Sequence, residues 1–261
     1  RGQVYWLKVY EVPQGSRVSK GKPIINLFPI MPGEKINAIL AVKDFVEDQY
    51  IFMATSKGTV KKTPLSDFSN PRKSGIIAIK LDNGDFLVGA SVTNGHNDIV
   101  LVSNGGKAVW FDESAVRSMG RNARGVRGMK LPEKQQVLSL LVAFSESESV
   151  LVATENGYGK RTQLSEFRRS GRGTQGVKAI QVSDRNGIVV AARLVGDQDE
   201  IMLITTGGVL IRTRVSEIRE LGRATQGVTL INLGDDEKLS GLEKIVETDH
   251  IDDDGQDELQ I

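Results

Sequence analysis

The stretch KGTVKKTPLSDF at 57–68 returns as GGKAVWFDESAV at 105–116, NGYGKRTQLSEF at 156–167 and GGVLIRTRVSEI at 207–218, and RGQVYWLKVYEV at 1–12 anticipates it. Aligned on Gly2, Gly58, Gly106, Gly157 and Gly208, the copies are spaced by 56, 48, 51 and 51 residues. A second glycine opens a second shared phrase: GKPIINL from Gly21, GIIAIKL from Gly75, GVRGMKL from Gly125, GVKAIQV from Gly176 and GVTLINL from Gly227. Its spacings are 54, 50, 51 and 51. Two independent anchors on one period make the chain an array of like units, each of which cannot bury its apolar face alone.

Within a unit the strands are short and aliphatic: YIFMAT, IVLVS, VLVAT and IMLIT each run into a turn rich in Gly, Asn, Ser or Lys. Glycine or asparagine there supplies the positive φ of a tight hairpin. A second strand follows, then a loop holding L-S-D/E-F or its relative, then a strand after the second glycine. A last strand closes the unit: INAILAV, FLVGASV, VLSLLVA, IVVAARL and LSGLEKI. Four strands per unit of about 50 residues is the pattern of a propeller blade, so the expected fold is an all-β, propeller-like ring of four-stranded blades. A pair of β-sandwiches is the alternative, but it gives no reason for a fixed period. Five repeats are visible, and the abrupt start at Arg1 reads as the middle of something longer. The expectation is therefore a six-bladed intact domain, with the repeat array at 1–246 and a disordered acidic tail at 247–261.

Composition narrows the function. With 261 residues and 39% hydrophobic content the chain can bury a core. It holds no cysteine and two histidines, His96 and His250, which removes disulfides, thiolate sites and most hydrolytic or zinc chemistry. No apolar run approaches the roughly 20 residues of a membrane span. No membrane partner is expected, and a reducing cytoplasm is compatible. The tail 247–261 carries 7 acids and no Lys or Arg. A basic body with an acidic tail points to a polyanionic partner and to a segment that competes with it.

The body's charge is not evenly spread. The segments between paired anchor glycines (2–22, 58–75, 106–127, 157–176 and 208–227) hold 22 Lys and Arg against 7 acids, a net of +15. The rest of the body up to residue 246 holds 12 against 19, a net of −7. In a ring, a charge that recurs once per blade traces a belt, and a belt of cations suits double-stranded DNA, which releases counterions when neutralised. The candidate members are Arg17, Lys20, Lys22, Lys61, Lys62, Arg72, Lys73, Arg117, Arg121, Arg124, Arg127, Lys160, Arg161, Arg168, Arg169, Arg172, Arg212, Arg214, Arg219 and Arg223. No recognition helix or aromatic stacking platform is evident, so binding should be weakly sequence-specific and dependent on bending. The competing reading for any single side chain is a solvated loop charge.

Other motifs yield nothing catalytic. Asn156–Arg161 lacks the spacing of a phosphate loop and reads as a hairpin turn. An EF-hand register over 250–261 would put His250 and Ile261 at ligand positions, so no calcium site is expected. The repeated Leu65-Ser66-Asp67-Phe68, Leu164-Ser165-Glu166-Phe167 and Val215-Ser216-Glu217-Ile218 read as turns whose apolar ends dock into the core. Trp6 and Trp110 stand where other repeats have Lys62, Arg161 and Arg212, and core packing is expected of them. No catalytic residue, metal site or cofactor is assigned.

The phrases RGQVYWLKVYEVP, FMATSKGTVKKT, ENGYGKRT and TRVSEIRELGRATQGV resemble the C-terminal domain of DNA gyrase A subunits, part of the bacterial type IIA topoisomerases. The resemblance covers residues 1–246 in order. It implies a β-pinwheel, in which blades exchange strands, and a non-catalytic domain that wraps DNA around its perimeter so that strand passage has a fixed handedness. It further implies a bacterial cytoplasmic enzyme driving ATP-dependent negative supercoiling, an A2B2 complex in which this domain works with the remainder of its own polypeptide and with an ATP-binding B subunit. Tyr5, Tyr10, Tyr50 and Tyr158 inherit no cleavage role. The family's basic Q-R-R-G-G-K-G box is absent. The nearest phrases are Arg168-Arg169-Ser170-Gly171-Arg172-Gly173 and Ser19-Lys20-Gly21-Lys22, and truncation before the box is the expected cause. The alternatives are a protein-interaction propeller and the C-terminal domain of the topoisomerase IV C subunit.

Overall fold

The computed structural model describes residues 2–16 and 19–245, so Arg17 and the acidic tail lie outside the described residues. Repeat 1 contributes β1 (Gln3–Val4). Repeat 2 gives β2 (Tyr50–Thr55), β3 (Thr59–Pro64), β4 (Ile76–Ile77) and β5 (Leu87–Thr93). Repeat 3 gives β6 (Asp98–Ser103), β7 (Lys107–Asp112), β8 (Val126–Arg127) and β9 (Val137–Ala143). Repeat 4 gives β10 (Ser149–Thr154), β11 (Tyr158–Gln163), β12 (Val177–Lys178) and β13 (Val189–Val195). Repeat 5 gives β14 (Glu200–Thr205), β15 (Leu210–Arg214), β16 (Val228–Thr229) and β17 (Leu239–Ile245). The other regular elements among the described residues are short 3-10 turns, and none of their helices could cross a membrane.

The sheets do not follow the repeats. Their strand orders are β5-β2-β3-β8, β9-β6-β7-β12 and β13-β10-β11-β16, with β17-β14-β15 at one end and β1-β4 at the other. Each four-stranded blade thus takes its outermost strand from the next repeat, the strand exchange of a pinwheel. Within a blade the pairing is antiparallel and regular, as in Ile51↔Thr63 and Ala54↔Val60 between β2 and β3. The innermost strands β5, β9, β13 and β17 pack on one another around a common axis.

The anchor glycines are the joints of this exchange. Gly58 has φ 81°, which favours glycine, and a Cβ there would stand 2.6 Å from the Met129 carbonyl oxygen of the incoming repeat. Its own carbonyl accepts from the Gly128 and Met129 amides at 2.8 and 3.1 Å. Gly125 meets the same seam from the other side, with φ 100° and a Cβ position 2.5 Å from the Val60 oxygen. The forked acceptor recurs at Gly2, Gly106 and Gly157, which explains why both glycines keep the period.

The core lies in the wedges between blades. Phe52 and Val60 pack against Ile99, Leu101 and Phe111, and Val100, Trp110 and Leu141 against Val150, Leu164 and Ala192. Leu151 and Ala191 meet Ile201, Leu203 and Leu242 in the next wedge. A sheet buried on both faces needs apolar residues at successive positions, not alternate ones, and every residue of β10 is buried. The L-S-D/E-F turns dock as expected: Leu65, Phe68, Leu164 and Phe167 are buried.

Two expected strands are absent. Residues 36–42 (INAILAV) form no strand, and the GKPIINL phrase contains a 3-10 turn at Ile24–Asn26. Neither segment pairs with a strand among the described residues: 36–42 reaches the edge strand β5 only through the Asn37 side chain, which donates to the Leu87 carbonyl, and Ile24, Ile25 and Ile39 are exposed. Apolar character without a hydrogen-bonding neighbour does not make a strand.

Candidate nucleic-acid interface

Because the donated strand lies outermost, the loop leading into it crosses the outside of the preceding blade. Met119 N–H donates to the Lys62 carbonyl at 2.8 Å, Ser170 N–H to that of Trp110 at 2.8 Å and Leu221 N–H to that of Arg161 at 2.9 Å. These loops carry most of the candidate cations, so strand exchange is what brings the charge to the perimeter.

The candidates divide into three groups. Lys20, Lys22, Arg72, Lys73, Arg117, Arg127, Arg168 and Arg219 are exposed, and their side chains make no hydrogen bond or ion pair among the described residues. A second group is also on the surface but engaged. Arg169 donates to Asp98 and Asp112 at 2.5 and 2.9 Å, and Arg172 to the carbonyls of Ala115 and Arg127 at 2.9 and 3.0 Å. Arg124 pairs with Asp82 at 3.5 Å, Arg121 reaches the Ile77 carbonyl at 3.4 Å, and Arg212 and Arg214 share Glu200. Arg223 is half-buried in its loop.

The third group corrects the belt drawn from sequence. Lys61 and Lys160 have no exposed surface and Lys62 is 6% exposed. The Lys61 ammonium donates to the carbonyls of Ala78, at 2.7 Å, and Arg121. That of Lys160 donates to Gly222, and that of Lys62 donates to the Glu113 carbonyl at 3.1 Å and lies 5.1 Å from the Tyr50 ring centre. Arg161 is largely covered, bonded to the Ile218 carbonyl at 2.8 Å and paired with Asp197. These cations face the seams, where a duplex cannot reach them. Burial pushes both Lys61 and Lys160 down to about 8, helped in each case by a nearby arginine, Arg121 or Arg223, and opposed by Asp67 or Glu166.

The alignment already held a signal for this. Lys61 and Lys160 share their repeat position with the apolar Val109 and Ile211, and Val109 is buried there; Ile211 is exposed on β15, whose sheet has no donated fourth strand among the described residues. Trp110 bears out its reading: it is 4% exposed and lies in the wedge cluster. Sequence reasoning also missed Lys57 and Lys80, which sit just outside the anchor glycines. With Arg124 and Arg127 they line a perimeter cleft of about 340 Å³ that also holds Asp82 and Asp85. Lys80 and Lys130 each follow the second glycine by five positions, a recurrence that could have found Lys80.

The chain matches the model of the DNA gyrase C-terminal domain, a β-propeller, over residues 1–43, 49–94, 97–143, 148–195 and 199–245. It belongs to the DNA gyrase C-terminal domain family. The DNA gyrase A subunit of Salmonella typhimurium is 51% identical over 247 residues, which cover 95% of this chain and 28% of that protein. Its counterpart in Haemophilus influenzae is 47% identical over 280 residues, covering 97% and 32%. The chain therefore spans about a third or less of these relatives. Among solved structures, a C-terminal domain of DNA topoisomerase IV superposes with a TM-score of 0.87 at 30% identity, covering 94% of this chain and 76% of that one. A DNA gyrase A C-terminal domain superposes with 0.81 at 29%, covering 94% and 80%. Within this family frame the phrase at 168–173 is no free basic box. Arg169 and Arg172 fasten repeat 4 to repeat 3, which leaves Arg168 as its unengaged cation.

Proposed function

We propose that this domain binds double-stranded DNA with little sequence preference and bends it around the perimeter formed by the outermost strands and their loops. The observation that carries the reading is the coincidence of two independent patterns. With the buried strand cations Lys61, Lys62 and Lys160 and the covered Arg161 set aside, much of the basic excess of the inter-glycine segments is carried by the loops that strand exchange lays on the outside of the blades, among them Arg72, Lys73, Arg117, Arg121, Arg124, Arg168, Arg169, Arg172, Arg219 and Arg223. The parent is a bacterial, cytoplasmic DNA gyrase, in which the domain, itself without catalytic group, metal or cofactor, presents a wrapped duplex with fixed handedness to ATP-dependent strand passage. Its partners there, in an A2B2 complex, are the B subunit and the remainder of its own polypeptide. Likeness to a topoisomerase IV domain favours a second reading, in which the chain is the C-terminal domain of a topoisomerase IV C subunit.

A salt titration of duplex binding, read beside the linking number of a nicked circle religated in the presence of the protein, tests the proposal. Steep salt dependence with a shifted linking number supports wrapping, and the sign gives its handedness. Binding without a shift keeps the DNA-binding reading and drops the wrap. No binding at all leaves a protein-interaction propeller.

A further inference from the structure

A lysine buried beside aliphatic strands is costly unless its ammonium is ligated. Lys61 and Lys160 sit at the same repeat position, on β3 and β11, and both solve the problem in the same way. Each donates to a carbonyl of the loop that the next repeat lays over its blade: Arg121 in one case and Gly222 in the other. Lys61 also reaches the Ala78 carbonyl at 2.7 Å, just past β4, so it ties its own repeat's crossing to that of repeat 3. In the seam between them Val109 takes this position, and Arg172 and Arg169 fasten the loop from outside instead. A cation therefore holds the crossing loop in each of these three seams.

We propose that Lys61 and Lys160 are positioning residues of the DNA interface, holding from within the loops that carry Arg121 and Arg223 and coupling their engagement by phosphate to protonation. This rests on the DNA-binding reading above. The charged groups that act on the two ammoniums are Arg121 and Asp67 at Lys61, and Arg223 and Glu166 at Lys160. In the free protein burial and the arginine both oppose the charge and bring each lysine to about 8, while the carboxylate supports it. A phosphate on the arginine offsets the arginine's repulsion, so the bound state holds more protons than the free one. The sign follows: affinity is highest below pH 8 and falls as pH rises through the free lysine's range, and binding near pH 8 takes up protons. Each unit by which binding raises a lysine's pKa is worth about tenfold, so a loss of about three- to tenfold between about pH 7 and 9.5 is expected.

The experiment is calorimetric titration of the full chain with duplex DNA at fixed salt near pH 8, in two buffers of different ionisation enthalpy, with affinities measured across the pH range. The wild type should take up protons. A K61R/K160R chain, whose guanidinium groups stay charged, should bind at neutral pH within a few-fold of wild type with the uptake abolished. A K61M/K160M chain should bind about tenfold more weakly at neutral pH, also without uptake. If the methionine chain fails to fold, as circular dichroism will show, the arginine chain still decides the question. DNA binding by the wild type with no proton uptake, or uptake unchanged in the arginine chain, overturns this inference and leaves the DNA reading standing. No DNA binding by the wild type overturns both.

Discussion

Replacing Arg72, Lys73, Arg117 and Arg168 by glutamine removes four exposed cations that make no internal bond among the described residues, so the fold should be indifferent to the change. Its effect on DNA should be large. Each phosphate contact contributes about 0.9 to the slope of log affinity against log salt, so the loss of all four flattens the slope by up to about 3.6. A contact worth nothing at 1 M salt and following that slope contributes about eightfold at 0.1 M, which bounds the combined loss at about 10³–10⁴-fold. The assay is equilibrium binding to one duplex from low to moderate salt, with thermal denaturation to show that stability is unchanged. The comparison chain replaces Lys238 and Lys244, which bond Asn156 of the neighbouring blade and Asp199 of the same blade. An unchanged slope, or equal flattening in the comparison chain, would refute the assignment of the free cations to DNA. Arg169 and Arg172 are poor choices for such a test, because removing them also loosens repeat 4 from repeat 3.

Two further substitutions probe the scaffold. Gly58→Ala forces a side chain into φ 81° with its Cβ 2.6 Å from the Met129 oxygen, and should cost about 2–4 kcal/mol. Gly21→Ala, at φ 66° with nothing nearby, should cost only about 1 kcal/mol, and equal shifts in denaturant midpoint would sink the seam argument. Glu113 is fully buried, accepting the Asn97 amide at 2.8 Å and the Thr93 hydroxyl at 2.7 Å. Glu113→Ala strands both donors and should cost about 3 kcal/mol, seen as a drop in Tm of about 6–12 °C, whereas a drop under about 2 °C would mean that water replaces the carboxylate.

The period and most strands were legible in the sequence because the central strands of the blades are buried on both faces, as β6 and β10 are along nearly their whole length. Residues 99–102 and 150–153 therefore read as the short continuous apolar runs they are. Strand exchange was not legible from the runs themselves. Strands such as β8 and β12 are two residues long, and a local pattern of that length cannot say which repeat supplies its partner. Residues 36–42 failed in reverse: strand-like in pattern, they join no sheet among the described residues. The perimeter charge was legible as a sum but not residue by residue. A lysine on a strand looks the same whether it faces solvent or a seam, and only its alignment with apolar residues such as the buried Val109 hints that Lys61 and Lys160 lie inside.

That division of the cations matters for how a bent duplex could be held. Bending 20–30 bp through 40–90° costs on the order of 1–6 kcal/mol, while a phosphate contact at 0.1 M salt is worth about 1.2 kcal/mol by the same salt slope. The one or two free cations that each repeat supplies can therefore together offset the bend, provided their spacing does not relax when DNA arrives. Loops tethered only by their ends would relax, and part of the binding energy would go into ordering them. Here the loops are tethered along their length: forked backbone bonds hold them at Gly58, Gly106 and Gly157, with Lys61, Arg169, Arg172 and Lys160 pinning the stretches that cross between. On the proposed reading, the cations bonded within the fold are thus the ones that fix the curvature of the surface presenting the unengaged cations to DNA. Loosening them should reduce the linking-number shift before it abolishes binding.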